Sequence, residues 1–144
     1  DYFEFLCTQN LTPTQLKVFA KYSNRSCRHS LASPGDLNYP AISSVFTQKT
    51  PTSFPSPVIV HRTVTNVGPP DSKYHVVVSP FKGASIKVEP ETLNFTGKHQ
   101  KLSYKITFKP KVRQTSPEFG SMEWKDGLHT VRSPVVITWL PPPM

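Results

Sequence analysis

Lys101-Leu102-Ser103-Tyr104-Lys105-Ile106-Thr107-Phe108-Lys109 puts its lysines on one parity and Leu102, Tyr104, Ile106 and Phe108 on the other. Successive side chains of an extended chain point to opposite faces, so this is a strand with one wet and one apolar face. The same period of two runs outward in both directions. Val58 to Val67 reads as a strand ended by Gly68-Pro69-Pro70; Tyr74, Val76 and Val78 face inward on the next; Ile86 and Val88, then Leu93 and Phe95, follow. Beyond Lys109, Phe119 to Lys125 turns at Asp126-Gly127, a strong hairpin signal, into a last strand from His129 to Trp139. On the N-terminal side, Tyr39 to Phe46 begins the first strand, and the Pro/Ser/Thr-rich stretch from Thr50 to Pro57 is a loop.

Seven or eight short antiparallel strands in about a hundred residues predict a β-sandwich of immunoglobulin or fibronectin type III kind. Composition agrees: 36% apolar and 18% charged residues with 16 prolines suit short strands and turns better than helices. Two residues strain the pattern. Arg62 shares its parity with Val58, Val60 and Val64, so either it anchors a buried polar network or a bulge turns it outward. Pro134 demotes the last strand to an edge or implies a bulge there.

The first thirty or so residues follow a different rule. Tyr2, Phe5 and Leu6 lie on one face of a short helix. Thr12-Pro13-Thr14-Gln15 is a helix start, with Thr as cap, Pro in the first turn and Gln at the capping-box position; Leu16, Phe19 and Ala20 form the apolar side of a second helix. Helices this short are marginal alone, so their apolar faces need a partner. The expected organisation is a helical segment, residues 1–33, followed by a sandwich, residues 34–144.

The formal net charge is +8, which raises nucleic acid or an anionic surface as a partner. The basic residues are scattered, however, and the densest run is the solvent face of the Lys101–Lys109 strand, without interleaved exposed aromatics, so no nucleic-acid partner is expected. No stretch of about eighteen apolar residues predicts a membrane span. With no leader at the N-terminus and no initiator Met, the chain is expected to be a processed or excised piece with any export signal upstream.

Cys7 and Cys27 fit a disulfide or two free thiols, and no third ligand stands at zinc spacing. The sequons Asn10-Leu11-Thr12, Asn24-Arg25-Ser26 and Asn94-Phe95-Thr96 exceed the one or so that chance would supply among five asparagines, so they favour the secretory route and, with it, the disulfide. Asn94 stands between Leu93 and Phe95, whose inward parity turns Asn94 outward, where a glycan can be accepted. A bridge from Cys7 to Cys27 would close the two helices into a hairpin and contribute about 3 kcal/mol.

Four stretches carry a resemblance. Asp1-Tyr2-Phe3-Glu4-Phe5-Leu6-Cys7 is similar to the DY-x-x-FLC stretch, Asp36-Leu37-Asn38-Tyr39-Pro40 to the DLNYP, and Arg62-Thr63-Val64-Thr65-Asn66-Val67-Gly68 to the RTVTNVG of plant subtilisin-like serine proteases. Phe119-Gly120 through Trp124, Asp126-Gly127, His129 and Val131-Arg132-Ser133-Pro134 resembles that family's FG-x-x-x-W-x-DG-x-H-x-VRSP ending. The departures are small: Ala41 follows DLNYP where the family often has Ser, and the tail Trp139 to Met144 runs past the usual apolar finish.

The resemblance implies a secreted, apoplastic endopeptidase whose Asp/His/Ser triad and oxyanion-hole Asn lie upstream, with a C-terminal fibronectin-like domain. No catalytic residue carries over to this chain, and no G-x-S-x-G elbow occurs in it. His29, His61, His75, His99 and His129 show no tight ligand spacing, so neither metal nor cofactor is expected. The function implied is a non-catalytic module that stabilises the upstream catalytic domain; the alternative is a free-standing extracellular fibronectin-type interaction domain.

Overall fold

The computed structural model of the chain describes residues 2–9, 11–19, 27, 31–50 and 52–141. The chain divides into two compact units, Asp1–Asn38 and Tyr39–Met144.

The first unit holds helix α1 (Tyr2–Leu6), helix α2 (Pro13–Phe19) and a 3-10 turn at Pro34–Asp36. The start of α2 is a reciprocal capping box: the Gln15 backbone N–H donates to the Thr12 hydroxyl, and the Gln15 side-chain carbonyl accepts from the Thr12 backbone N–H at 2.8 Å. Cys7 and Cys27 are joined by a disulfide. None of the described residues in this unit is buried, and Tyr2, Val18 and Phe19 are each more than 60% exposed.

The second unit is a two-layer sandwich of eight strands: β1 (Ile42–Thr47), β2 (Val58–Thr65), β3 (Ser72–Val78), β4 (Ala84–Glu89), β5 (Thr92–Phe95), β6 (Lys101–Pro110), β7 (Glu118–Lys125) and β8 (Thr130–Leu140). One sheet has the order β1-β8-β7-β3-β5 and the other β2-β6-β4. Tyr104, Ile106 and Phe108 of β6 meet Ile42, Phe46, Met122, Trp124 and Ile137 of the opposite sheet in one core. The expected alternation accounts for this directly, since burial of one parity of every strand is what holds two sheets together. Three aromatic pairs support the core: Phe46 with Trp139, at 4.6 Å between ring centroids, Tyr104 with Trp124, edge to face at 5.1 Å, and Tyr74 with Phe95, edge to face at 6.1 Å.

The strands are not all antiparallel, as the sequence had suggested: β1 runs parallel to β8, from Ile42 opposite Val135 to Thr47 opposite Leu140. These two strands are separated by the rest of the sandwich, so no tight turn dictates an antiparallel pair. This pairing also corrects the edge reading of Pro134. β8 lies between β1 and β7, but β1 joins it only from Val135 onward, so Pro134 occupies the last position of β8 with an open side, where a missing N–H costs nothing. Arg62 needs no bulge. The β2–β6 register is unbroken from Val58 opposite Phe108 to Thr65 opposite Lys101, and Arg62 points inward, buried opposite Tyr104, donating to the His61 carbonyl at 2.8 Å.

Candidate functional site

Where β2 ends, the chain must reverse between two sheets, and Asn66 fixes how it does so. Its backbone N–H donates to the Gln100 carbonyl and its own carbonyl accepts from His99 N–H at 2.7 Å, extending the β2–β6 ladder past Thr65. The buried side chain then donates to the carbonyls of Pro69 (2.9 Å) and Gly97 (3.2 Å) and accepts from the Gly68 N–H (3.1 Å). One amide thus ties the β2–β3 loop to the β5–β6 loop, with each of its polar groups engaged.

The β7–β8 turn is pinned at the same end of the five-stranded sheet as the Tyr74 end of β3 and the body of β5. Gly127 takes φ +93°, which the turn requires and which a side chain would resist. Asp126 accepts from the backbone N–H groups of Leu128 and His129, and its other oxygen lies 2.9 Å from His129 Nδ1. The His129 side chain, followed by these backbone donors, holds the Asp126 carboxyl well below the usual carboxylate range. Burial raises the Tyr74 phenol above its ordinary value, and the nearby Asp126 charge raises it further, so Tyr74 stands neutral beside the turn.

Between these two pinned loops the sandwich end is open. Val64 from one sheet and Tyr74, Leu93, Phe95, Trp124 and Val131 from the other line a pocket of about 260 Å3. Its mouth carries apolar side chains in water: Val67 is 79% and Val131 53% exposed.

The Phe119-Gly120 step serves packing at the other end of β7. A Cβ on Gly120 would run into the Ser79 hydroxyl and the Phe81 ring, and that hydroxyl accepts from the Ser121 N–H at 2.8 Å. Next to it, the Glu118 carboxylate accepts from the N–H groups of Lys82 and Gly83 at 2.8 and 2.9 Å.

The residues singled out in the sequence are dispersed over the molecule. Asn94 is exposed on β5, the edge strand, between buried Leu93 and Phe95. Asn10, Asn24 and His29 lie outside the described residues. His61 is on the outer face of β2, His75 on β3, His99 in the β5–β6 turn and His129 in the β7–β8 turn. Among the described residues no three His, Cys, Asp or Glu side chains gather closely enough to hold a metal ion, and no helix is long and apolar enough to cross a membrane. Asp126 and His129 form the Asp–His half of a triad-like arrangement, but no described hydroxyl stands on the other ring nitrogen, and the pair closes a tight turn. Sequence reasoning assigned no separate role to Asn66 and Asp126; the signal for both was a short polar residue just before Gly at a strand end, Asn66-Val67-Gly68 and Asp126-Gly127.

The fibronectin type-III domain family matches residues 36–137, which hold β1 to β7 and most of β8. The chain belongs to that family. Its relatives are plant subtilisin-like proteases: it is 62% identical to subtilisin-like protease SBT1.3 of Arabidopsis thaliana over 99% of this chain, and 37% identical to SBT1.5 of the same plant over 96%. The chain spans 18% of the length of each of these relatives. Among solved structures, a PapD-like domain of human CEP192 is similar with a TM-score of 0.50 at 16% identity, covering 84% of this chain and 98% of that one. This last likeness concerns the fold alone.

Proposed function

We propose that this chain is the C-terminal, non-catalytic part of a secreted, extracellular subtilisin-like serine endopeptidase of the plant apoplast, where it stabilises the upstream catalytic domain and so supports peptide-bond hydrolysis. The observation that carries this reading is the likeness to a subtilisin-like protease through 99% of the chain, helical unit included, at 18% of that protein's length. The first unit adds physical support. Its helices are short, none of its described residues is buried, and Tyr2, Val18 and Phe19 stand exposed, apolar side chains that a partner could cover. A free-standing sandwich would leave those faces without a purpose. The substrates in this reading are the proteins and peptides cleaved by the upstream domain.

Deletion of residues 36–144 from the full-length protease tests the proposal. Each large apolar side chain that the deletion returns to water is worth about 1.5–3 kcal/mol, so Tm should fall by roughly 5–10 °C and secretion should drop, while turnover of a small chromogenic peptide by the surviving folded enzyme changes less. Unchanged stability and full activity in the truncated enzyme would remove the basis for a supporting role. Hydrolysis by residues 1–144 alone would overturn it.

Passage through the secretory route also makes Asn94, together with Asn10 and Asn24, a proposed N-glycan acceptor. Exposure of Asn94 on an edge strand leaves room for a glycan without disturbing Leu93 or Phe95. In protein secreted by plant cells, enzymatic deglycosylation should convert Asn94 to Asp in the peptide mass spectrum. An unmodified Asn at all three positions would count against the secretory assignment.

A further inference from the structure

We infer that the pocket between the β2–β3 loop and the β7–β8 turn receives a bulky apolar side chain from the catalytic part of the same polypeptide, an inference that rests on the function just proposed. The walls are mostly apolar, from Val64, Leu93, Phe95, Val131 and the rings of Tyr74 and Trp124, with Thr65 beside them, and the exposed Val67 and Val131 stand at the mouth. At about 260 Å3 it stands at the small end of the range for small-molecule sites and has room for one or two inserted side chains. Two of the polar side chains at its edge are already engaged. The Asn66 side chain is spent on Gly68, Pro69 and Gly97, and Asp126 on Leu128 and His129.

The same spent bonds make the pocket rigid before anything enters it, which lowers the entropy lost on docking. Two of the four stretches that resemble the protease family, Arg62–Gly68 and Phe119–Pro134, meet at this pocket, although Val67 and Val131 contribute little to the sandwich's own core. The occupant is assigned to the parent polypeptide because the chain spans only 18% of its relatives' length, so more than four-fifths of such a protein lies outside it.

The test uses the full-length protease with Val67→Asp, Val67→Ser and Val131→Asp, and with Val112→Asp as control. Val112 is also an exposed valine in a loop, but it follows the far end of β6. If the pocket is occupied, each aspartate variant places a charge in an apolar contact, lowers Tm by about 3–5 °C and speeds proteolytic release of the sandwich about tenfold. Val67→Ser gives a smaller shift in the same direction and Val112→Asp gives none. A photo-crosslinking residue at position 67 should capture a peptide of the catalytic part within the same molecule.

Tm and release rates for Val67→Asp and Val131→Asp equal to those of Val112→Asp would overturn the inference. So would crosslinks that join two molecules, which would assign the pocket to a second copy, or crosslinks confined to residues 39–144. If deleting residues 36–144 destabilises the protease while these point variants do not, the supporting role stands and the pocket's part in it falls.

Discussion

Trp124→Ala should cost the sandwich about 3–5 kcal/mol, a large share of the 5–15 kcal/mol that holds a typical domain folded. Trp124 is 4% exposed on β7, between Val76 of β3 and Val131 of β8 within its own sheet, and its ring meets Tyr104 of β6 in the opposite sheet. The indole is therefore a bridge between layers as well as a filler of one. Truncation removes its transfer free energy, opens a void beside the pocket already present at that end, and takes away the edge-to-face contact with Tyr104. Trp124→Phe keeps a ring in the gap and should cost roughly half as much. Urea unfolding of the 144-residue chain, followed by the fluorescence of Trp139, measures both, because Trp139 packs on Phe46 well away from the substitution. A midpoint for Trp124→Ala within error of the unsubstituted chain would mean that the two sheets do not depend on this contact.

The strand that carries Trp124 was legible in the sequence, as was most of the sandwich. Alternation fixes which face a residue occupies, so Leu93 and Phe95, Tyr104 and Phe108, and Tyr74 and Val76 were all assigned to the core side, where they stand. Local chemistry was equally legible: Thr12 and Gln15 share a capping box because its partners are three residues apart. Alternation says nothing about what faces a side chain across the layers. Alternation thus set Arg62 on the inward parity without telling a buried arginine from a bulge, and its place opposite Tyr104 and its bond to the His61 carbonyl could not be read at all.

Pairing between distant strands was hidden for a related reason. The choice of parallel β1–β8 depends on which edge is left open after the other six strands have paired. The candidate site was the least legible of all. Its pocket is a shape formed where loops from both sheets fail to close, and the side chain that holds those loops finds partners up to 31 residues away.

That side chain, Asn66, separates shape from hydrogen bonding with one atom's change. Asn66→Asp preserves the volume and the acceptor for Gly68 N–H, but replaces the donor that serves Pro69 and Gly97 with an oxygen. In the unfolded chain the new side chain ionises above the ordinary carboxylate pKa of about 4, but in the fold an anion there would be 5% exposed and would face two carbonyl oxygens. Burial and those carbonyls both oppose the charge, so the folded-state pKa must rise above the unfolded one. The folded protein then holds a proton that the unfolded chain has lost, and stability falls as pH rises from the unfolded value toward the folded one. Asn66→Asp is therefore expected to be close to the original protein near pH 3.5, where the acid is neutral and can donate to one carbonyl, and to lose about 3 kcal/mol or more by pH 7. Asn66→Ala, which cannot ionise, should lose about 2–3 kcal/mol at both pH values relative to the original protein. Paired urea titrations at the two pH values read the difference directly. A pH-independent deficit for Asn66→Asp would show that the side chain had swung into water, and with it that the β2–β3 and β5–β6 loops can part without disturbing the sandwich.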